Sequence, residues 1–150
     1  MLSLLDRRTL APPAYFRLEP AAPSRAARSD QRLRISVAIP TQRRPNGLAV
    51  AVRSCFRQTG VDLAALELVI VDNDQVPSAE SLARQLAAEA PFPVRYVHEP
   101  AAGVANARNA ALAAARGDLI AFLDDDEEAA AGWLEALIEA QRAYDADVVF

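Results

Sequence analysis

The sequence predicts an α/β fold in which a mostly parallel sheet carries helices on both faces. Two observations lead there. Short, uniformly apolar runs alternate with stretches whose apolar residues recur at helical spacing. Polar text also follows the same end of every apolar run, as "PTQRR", "DNDQ", "HEPAAG" and "DDDEE". Strands that are apolar throughout are buried on both faces, and right-handed crossovers then leave few packings other than a parallel sheet between helical layers. In such sheets a ligand sits beyond the carboxyl ends of the strands, where the strand order reverses.

Each element can be read in turn. Residues 1–31 ("MLSLLDRRTLAPPAYFRLEPAAPSRAARSDQ") are rich in Pro, Ala and Arg without a sustained apolar period, which predicts a flexible leader before a domain over 32–150. "RISVAIP" predicts a buried strand stopped by Pro40, and "PNGLAVAVRSCFRQ" a helix with Leu48, Val52, Cys55 and Phe56 on one side. "LELVIVD" is the next strand and "SAESLARQLAAEA" the next helix, with Ser78 or Ser81 as its cap. "VRYVHE" is a third strand, followed by the Ala-rich helix "GVANARNAALAAARG" between Gly103 and Gly117. "LIAFL" is the fourth strand, "GWLEALIEAQRAYD" the last helix, and "DVVF" the beginning of a further strand. With strand order 3-2-1-4, the ends of the first and fourth strands would flank one crevice, bringing "IPTQRR" beside "FLDDDEE".

Bulk composition narrows the function classes. The 150 residues are 52% hydrophobic with five Gly, enough for one packed domain and too few for two ordinary ones. The single Cys55 lies in an apolar helical run, which predicts a structural thiol in a reduced compartment. Every basic residue is Arg. Without lysine the chain cannot make a Gly-Lys-Ser/Thr phosphate loop, and "PTQRRPNG" lacks the Gly-x-Gly-x-x-Gly of a dinucleotide fold. Phosphoaspartate hydrolases and response-regulator receivers, which also place an aspartate at a strand end, usually rely on a lysine as well. The Arg-rich beginning suits an anionic membrane or polymer as well as a solvated arm, and no nucleic-acid partner is expected. No apolar run approaches the ~18 residues of a membrane span, and the opening lacks a signal peptide's apolar region. The expected location is cytoplasmic.

The stretch "LIAFLDDDEE" sets five apolar residues against five carboxylates. Two carboxylates about 6 Å apart repel by roughly 3 kcal/mol at an effective dielectric of ~20, so something positive is expected there. Stabilisation of the following helix's dipole explains the acids in part. Carboxylates just after a buried strand suit Mg²⁺ or Mn²⁺ shared with a substrate's phosphates, and the helix beginning at Gly103 could turn free amides and Arg108 toward a phosphate. A metal–nucleotide site accounts for the cluster better than capping does.

Taken together, "ISVAIPTQRRPNGLAVAVRSCFRQ", "ELVIVDND" and "VRYVHEPAAGVANARNAALAAARGDLIAFLDDDEEAAAGWLEAL" resemble the donor-binding half of a family-2 glycosyltransferase of GT-A fold, with the Rossmann-like nucleotide-binding part represented. The wording is similar to bacterial exopolysaccharide enzymes of the succinoglycan glucosyltransferase type. The resemblance implies transfer of a sugar from a nucleoside-diphosphate sugar, UDP-sugar favoured, to a saccharide or lipid-linked acceptor, metal-assisted and inverting, with peripheral membrane contact. It implies that Pro40, Thr41 and Arg43 belong to the loop meeting the nucleotide and that Asp72, Asn73 and Asp74 form the acidic turn at the base. Arg108 would approach the base or diphosphate, and Asp125 the ribose. Asp124 and Asp126 would be the Asp-x-Asp pair for Mn²⁺ or Mg²⁺, Asp126 making the direct metal contact. Gln42 stands where the family often has an aromatic residue, and Gln75 where it often has Ser. The catalytic carboxylate of the acceptor side is expected beyond Phe150, with the domain truncated at that end. The alternative is a non-catalytic nucleotide-binding module. His98 is read as a rim histidine satisfied by neighbours, Trp133 as a packing residue, and Glu127 and Glu128 either as tuning the metal or as helix-start charges.

Overall fold

The computed structural model describes residues 3–6 and 33–149. Its elements are β1 (Ser3–Asp6), β2 (Ile35–Thr41), α1 (Pro45–Cys55), a 3₁₀ turn (Leu63–Ala65), β3 (Leu66–Asp72), α2 (Glu80–Glu89), β4 (Val94–His98), α3 (Val104–Ala114), β5 (Leu119–Phe122), α4 (Trp133–Tyr144) and β6 (Val148–Val149). They form one six-stranded sheet in the order β4-β3-β2-β5-β1-β6. Four neighbouring strands, β4, β3, β2 and β5, are parallel, and they stand in the 3-2-1-4 order that brings the first and fourth strand ends together.

Alternation along the strands splits the core between two faces. Val37 and Ile39 of β2, with Leu68 and Ile70 of β3, meet Leu48 and Val52 of α1, Leu86 of α2 and Leu134 of α4. On the opposite face Ala38, Val69, Val71, Ile120 and Phe122 pack against Ala107, Ala111 and Ala115. The small side chains of α3 let that helix lie close to the sheet. Trp133 is buried in the larger cluster, in keeping with its reading as a packing residue.

The beginning of the chain departs from the expectation. Ser3–Asp6, read as part of the leader, pair antiparallel with β5 on one side and with β6 on the other. Four residues are too few to show a period, and their pairing partners lie more than a hundred positions away. The expectation of flexibility over the rest of residues 1–31 lies outside the described residues. A second difference concerns α2. Neither Ser78 nor Ser81 caps it through its side chain; the N-cap position is Ala79, and the carboxylate that receives the Ala79 N–H is Asp72, at the end of β3.

Register aligns the polar strand ends. Thr41 pairs with Asp72 and Asp72 with His98, while Ala38 pairs with Phe122. Three residues beyond that last pair, Thr41 and Asp125 face each other across the gap between β2 and β5. All four polar segments therefore lie on one rim.

Candidate nucleotide and metal site

A cleft of about 520 Å³ opens on that rim, within the size range of small-molecule sites. Its floor is the end of β2, with Pro40, Thr41 and Gln42; one wall is the start of α3, with Gly103, Val104 and Arg108, and the other is Asp124, Asp125 and Asp126, with Arg44. Asn73 and Ala107 complete the lining. The segments "IPTQRR" and "FLDDDEE" thus meet as expected.

The three aspartates have separate environments. Asp125 is buried; its Oδ2 accepts from the Thr41 hydroxyl at 2.7 Å and its Oδ1 from Arg44 Nη1 at 3.1 Å. Asp126 is 62% exposed and accepts from the same Arg44 nitrogen at 2.6 Å. Asp124 lies 3.9 Å from Arg108 Nη2. The positive charge that the acid run demands comes from Arg44 and Arg108 at the aspartates and from Arg57 at Glu128. The hydrogen bond to Asp126, then the charges of Asp125 and Asp126, hold the Arg44 guanidinium above its ordinary pKa.

Two close approaches shape the walls. Gly47, in the first turn of α1, lies so near the Asp125 carbonyl oxygen that an added Cβ would overlap it. This contact sets the N-terminus of α1, where unsatisfied amides carry partial positive charge, directly against the acidic segment. The other end of α1 is tied to the same segment: Ala129 N–H donates to Ser54 Oγ, Gln58 Nε2 to the Ala130 carbonyl, and Leu134 N–H to Gln58 Oε1. Gly103, at φ 128°, adopts a backbone conformation that side chains disfavour. Its N–H donates to Asn73 Oδ1, and Asn73 Nδ2 donates to the carbonyls of Glu99 and Ala101. Asn73 therefore positions the start of α3, where Gly103 and Val104 line the cleft. Arg108, one turn later, lies over the Phe122 ring at 5.5 Å.

Other residues from the sequence reading lie outside the cleft lining. Asp72 is fully buried, and its carboxylate accepts from the Ala79 N–H at 2.7 Å, the Tyr96 hydroxyl at 2.8 Å and the Ser78 hydroxyl at 3.2 Å. Burial, and then this bond to Asp72, push the Tyr96 phenol above its usual range. Asp74, 2% exposed, receives both Nε and Nη2 of Arg43, at 2.7 and 2.8 Å. The Arg43 fork holds the Asp74 carboxyl below its usual range against the opposing effect of burial. His98 Nε2 is 2.9 Å from the Asp74 carbonyl oxygen, a satisfied rim histidine. Glu128 is paired with Arg57.

No group of three or more His, Cys, Asp or Glu side chains placed to hold a metal ion occurs among the described residues. The donor set still fits Mg²⁺ or Mn²⁺, which take one or two carboxylates and complete their shell with water and substrate phosphates. Asp124 and Asp126 offer hard oxygens at the edge of a cleft with room for a diphosphate.

Residues 36–150 match the family described as Glycosyl transferase family 2. The chain belongs to glycosyl transferase family 2. Among relatives of this family-2 chain, the succinoglycan biosynthesis protein ExoM of Rhizobium meliloti (strain 1021) is 39% identical over 120 residues, 80% of this chain and 38% of that protein. The chain therefore spans well under half the length of that relative. A mannosyltransferase of Pyrobaculum calidifontis, solved with GDP-Man and Mn²⁺, is 27% identical at a TM-score of 0.57, covering 65% of this chain and 28% of that one. S. aureus TarS, solved with UDP, shares the fold at a TM-score of 0.59 and 18% identity, covering 75% of this chain and 33% of that one. This family-2 domain thus has the α/β architecture expected of a GT-A fold.

The sequence reading missed Arg44 and Gly47 in this family-2 site. The demand for a positive charge beside "DDDEE" was assigned to a metal ion, and adjacent arginines at 43 and 44 could not be told apart without the turn that separates them. Gly47 resembles an ordinary helix-start glycine until Asp125 is placed against it.

Proposed function

We propose that this chain is the donor-binding part of a glycosyltransferase that moves a sugar from a nucleoside-diphosphate sugar to a saccharide or lipid-linked acceptor. The observation that supports it best is the meeting, in one cleft, of the Asp124 and Asp126 carboxylates after β5, the N-terminus of α3, and two arginines, Arg44 after β2 and Arg108 on α3. Carboxylates for a cation and amides and guanidinium groups for phosphate oxygens are complementary to a metal-bound diphosphate. Membership of family 2 and the GDP-Man and Mn²⁺ complex of the Pyrobaculum relative support the same reading.

In this reading Pro40, Thr41, Gln42 and Asn73 line the place of base and ribose, with Asp125 held near the ribose by Thr41. Asp72, Asp74 and Arg43 serve by fixing the turn that carries Asn73. Arg108 and the first amides of α3 take the diphosphate, and Asp124 and Asp126 hold the cation. When bound, Mn²⁺ or Mg²⁺ supplies charge neutralisation for the departing diphosphate. The acceptor oxygen forms a bond to the anomeric carbon from the face opposite the leaving group, the bond to the diphosphate oxygen breaks, and the acceptor's proton passes to a carboxylate base. The reading includes a cytoplasmic site of action at the membrane face; no helix among the described residues is long and apolar enough to cross a membrane.

Calorimetry with UDP, GDP and dTDP, each with and without Mn²⁺, tests the proposal. Binding of one nucleotide that strengthens at least tenfold with Mn²⁺ is expected; no binding of any nucleotide under either condition overturns it. One observation favours a second reading, a nucleotide-binding module without turnover: the only carboxylates lining the cleft among the described residues are Asp124, Asp125 and Asp126, which leaves none separate from the acidic segment to act as general base. Release of UDP from a UDP-sugar in the presence of acceptor decides between the two.

A further inference from the structure

Two consecutive arginines leave the end of β2 in opposite directions. Arg43 has a left-handed backbone, φ 56°, and its guanidinium forks onto Asp74. Arg44 follows with φ −122° and turns to the other side, where its single Nη1 bridges Asp125 and Asp126. Pro45 then starts α1, so the short turn is fixed at both ends. The Arg44 head group is not fixed in the same way. Its side chain is 56% exposed, and among the described residues its Nε and Nη2 make no hydrogen bond. It stands between the main cleft and a second cavity of about 360 Å³ bounded by Arg43, Asn46, Gly47 and the same two aspartates. The guanidinium therefore has open space on both sides of its present position, a short hydrogen bond to the most exposed carboxylate of the site, and three donors without a hydrogen bond among the described residues.

We propose that Arg44 is a displaceable counter-cation: it occupies Asp126 while the cleft is empty, and swings onto the diphosphate of an entering nucleotide, releasing Asp126 to a divalent ion. The inference rests on the reading of the cleft as a nucleotide–metal site and adds to it a competition within the protein. A guanidinium and a divalent cation cannot share one carboxylate oxygen without strong repulsion in a partly desolvated cleft. The arginine's planar fork is well suited to phosphate oxygens, so the nucleotide offers it an equivalent partner. Binding of nucleotide and of cation are thereby coupled beyond the direct contact between the two ligands, and by linkage each strengthens the other by the same factor. In the empty protein Arg44 neutralises Asp125 and Asp126, holding the acidic segment in place without a metal ion.

The test measures Mn²⁺ binding directly, by the electron paramagnetic resonance signal of free Mn²⁺, for the wild type, Arg44→Gln and Arg44→Lys, each with and without UDP. In the wild type Mn²⁺ alone is expected to bind weakly and to bind more tightly once UDP is present. Arg44→Gln is expected to bind Mn²⁺ alone about tenfold more tightly than the wild type, with the UDP-induced increment reduced by a similar factor. Mn²⁺ should also raise the melting temperature of Arg44→Gln more than that of the wild type, because only the variant leaves the two aspartates without a counter-cation. Arg44→Lys, which keeps the charge, should restore most of the wild-type competition. Equal Mn²⁺ affinity in wild type and Arg44→Gln, with an unchanged increment from UDP, overturns the role of Arg44 and leaves the nucleotide site standing. A wild type that binds neither UDP nor Mn²⁺ overturns the site and this inference together.

Discussion

The turn after β3 and the segment after β5 are nearly the same in sequence, "VDNDQ" against "LDDDE", and occupy equivalent places on either side of β2. Their carboxylates have opposite fates. In the first, Asp72 and Asp74 point into the protein, and their oxygens are used by the start of α2, by Tyr96 and by Arg43. In the second, Asp125 is turned inward while Asp124 and Asp126 stay at the cleft edge with arginine partners. What separates them is the chain that follows. After Asp74 the five residues before α2 fold back so that the Ala79 N–H reaches Asp72. After Asp126 the six residues before α4 run along α1 instead, where the Ala129 N–H and the Ala130 carbonyl bond to Ser54 and Gln58. The same residue type is thus a structural acceptor in one turn and a cleft-facing group in the other, according to how many donors the local chain supplies.

Asp72→Ala is expected to have the largest effect on stability. It leaves the Ala79 N–H and the Tyr96 hydroxyl without their acceptor, and such losses cost about 1–3 kcal/mol for each buried group, so a loss of roughly 3 kcal/mol in urea unfolding is expected. A loss no greater than that of an average surface substitution would show that the two turns are not different in kind. Asp126→Ala should do the reverse: the melting temperature changes little, while Mn²⁺-dependent UDP affinity falls at least tenfold, about 1.4 kcal/mol. A folded Asp126→Ala protein that binds UDP equally well with and without Mn²⁺ would remove the functional half of the comparison.

Gly47→Ala sharpens the picture of the second segment. The added methyl has no room against the Asp125 carbonyl, and relief by shifting α1 is expected to cost about 1–3 kcal/mol and to weaken nucleotide binding as well, because α1 carries Arg44 at its start. An unchanged melting temperature would mean that the contact yields freely.

A smaller effect separates the turns by pH. Arg43 keeps the Asp74 carboxyl below its usual range, so this pair stabilises the fold fully above the ordinary Asp pKa of about 3.9 and loses that contribution as pH falls through the lowered native value. The difference in melting temperature between wild type and Arg43→Gln should therefore be largest near neutrality and shrink below about pH 4. The smallest signal expected is at Cys55, whose thiol is pushed up to about 12 by burial, outweighing its hydrogen bond with Ser54. Alkylation at pH 8 should be negligible in the native protein and complete in denaturant.

Much of this molecule was determined by the sequence alone. Alternating apolar runs and helical periods report burial, a property each residue contributes locally, so the strand–helix order and the shared polar rim could be read from them, whereas the 3-2-1-4 arrangement entered only as a condition that strand pairing then met. The need for a positive charge at "DDDEE" could be read too, because repulsion among adjacent acids holds in any fold. Tertiary structure decided which group answers each need. Ser78 and Ser81 were the local candidates for capping α2, but Asp72 receives the Ala79 N–H because the strand end returns beside the helix start. Arg43 and Arg44 are neighbours of one type, yet a left-handed residue in the turn sends one to Asp74 and the other to Asp125 and Asp126. Ser3–Asp6 joined the sheet because β5 and β6 offered backbone partners far along the chain. A pattern of periods encodes which residues are buried; hydrogen bonds and ion pairs are directional and act over a few ångströms, so their partners exist only once the chain has folded.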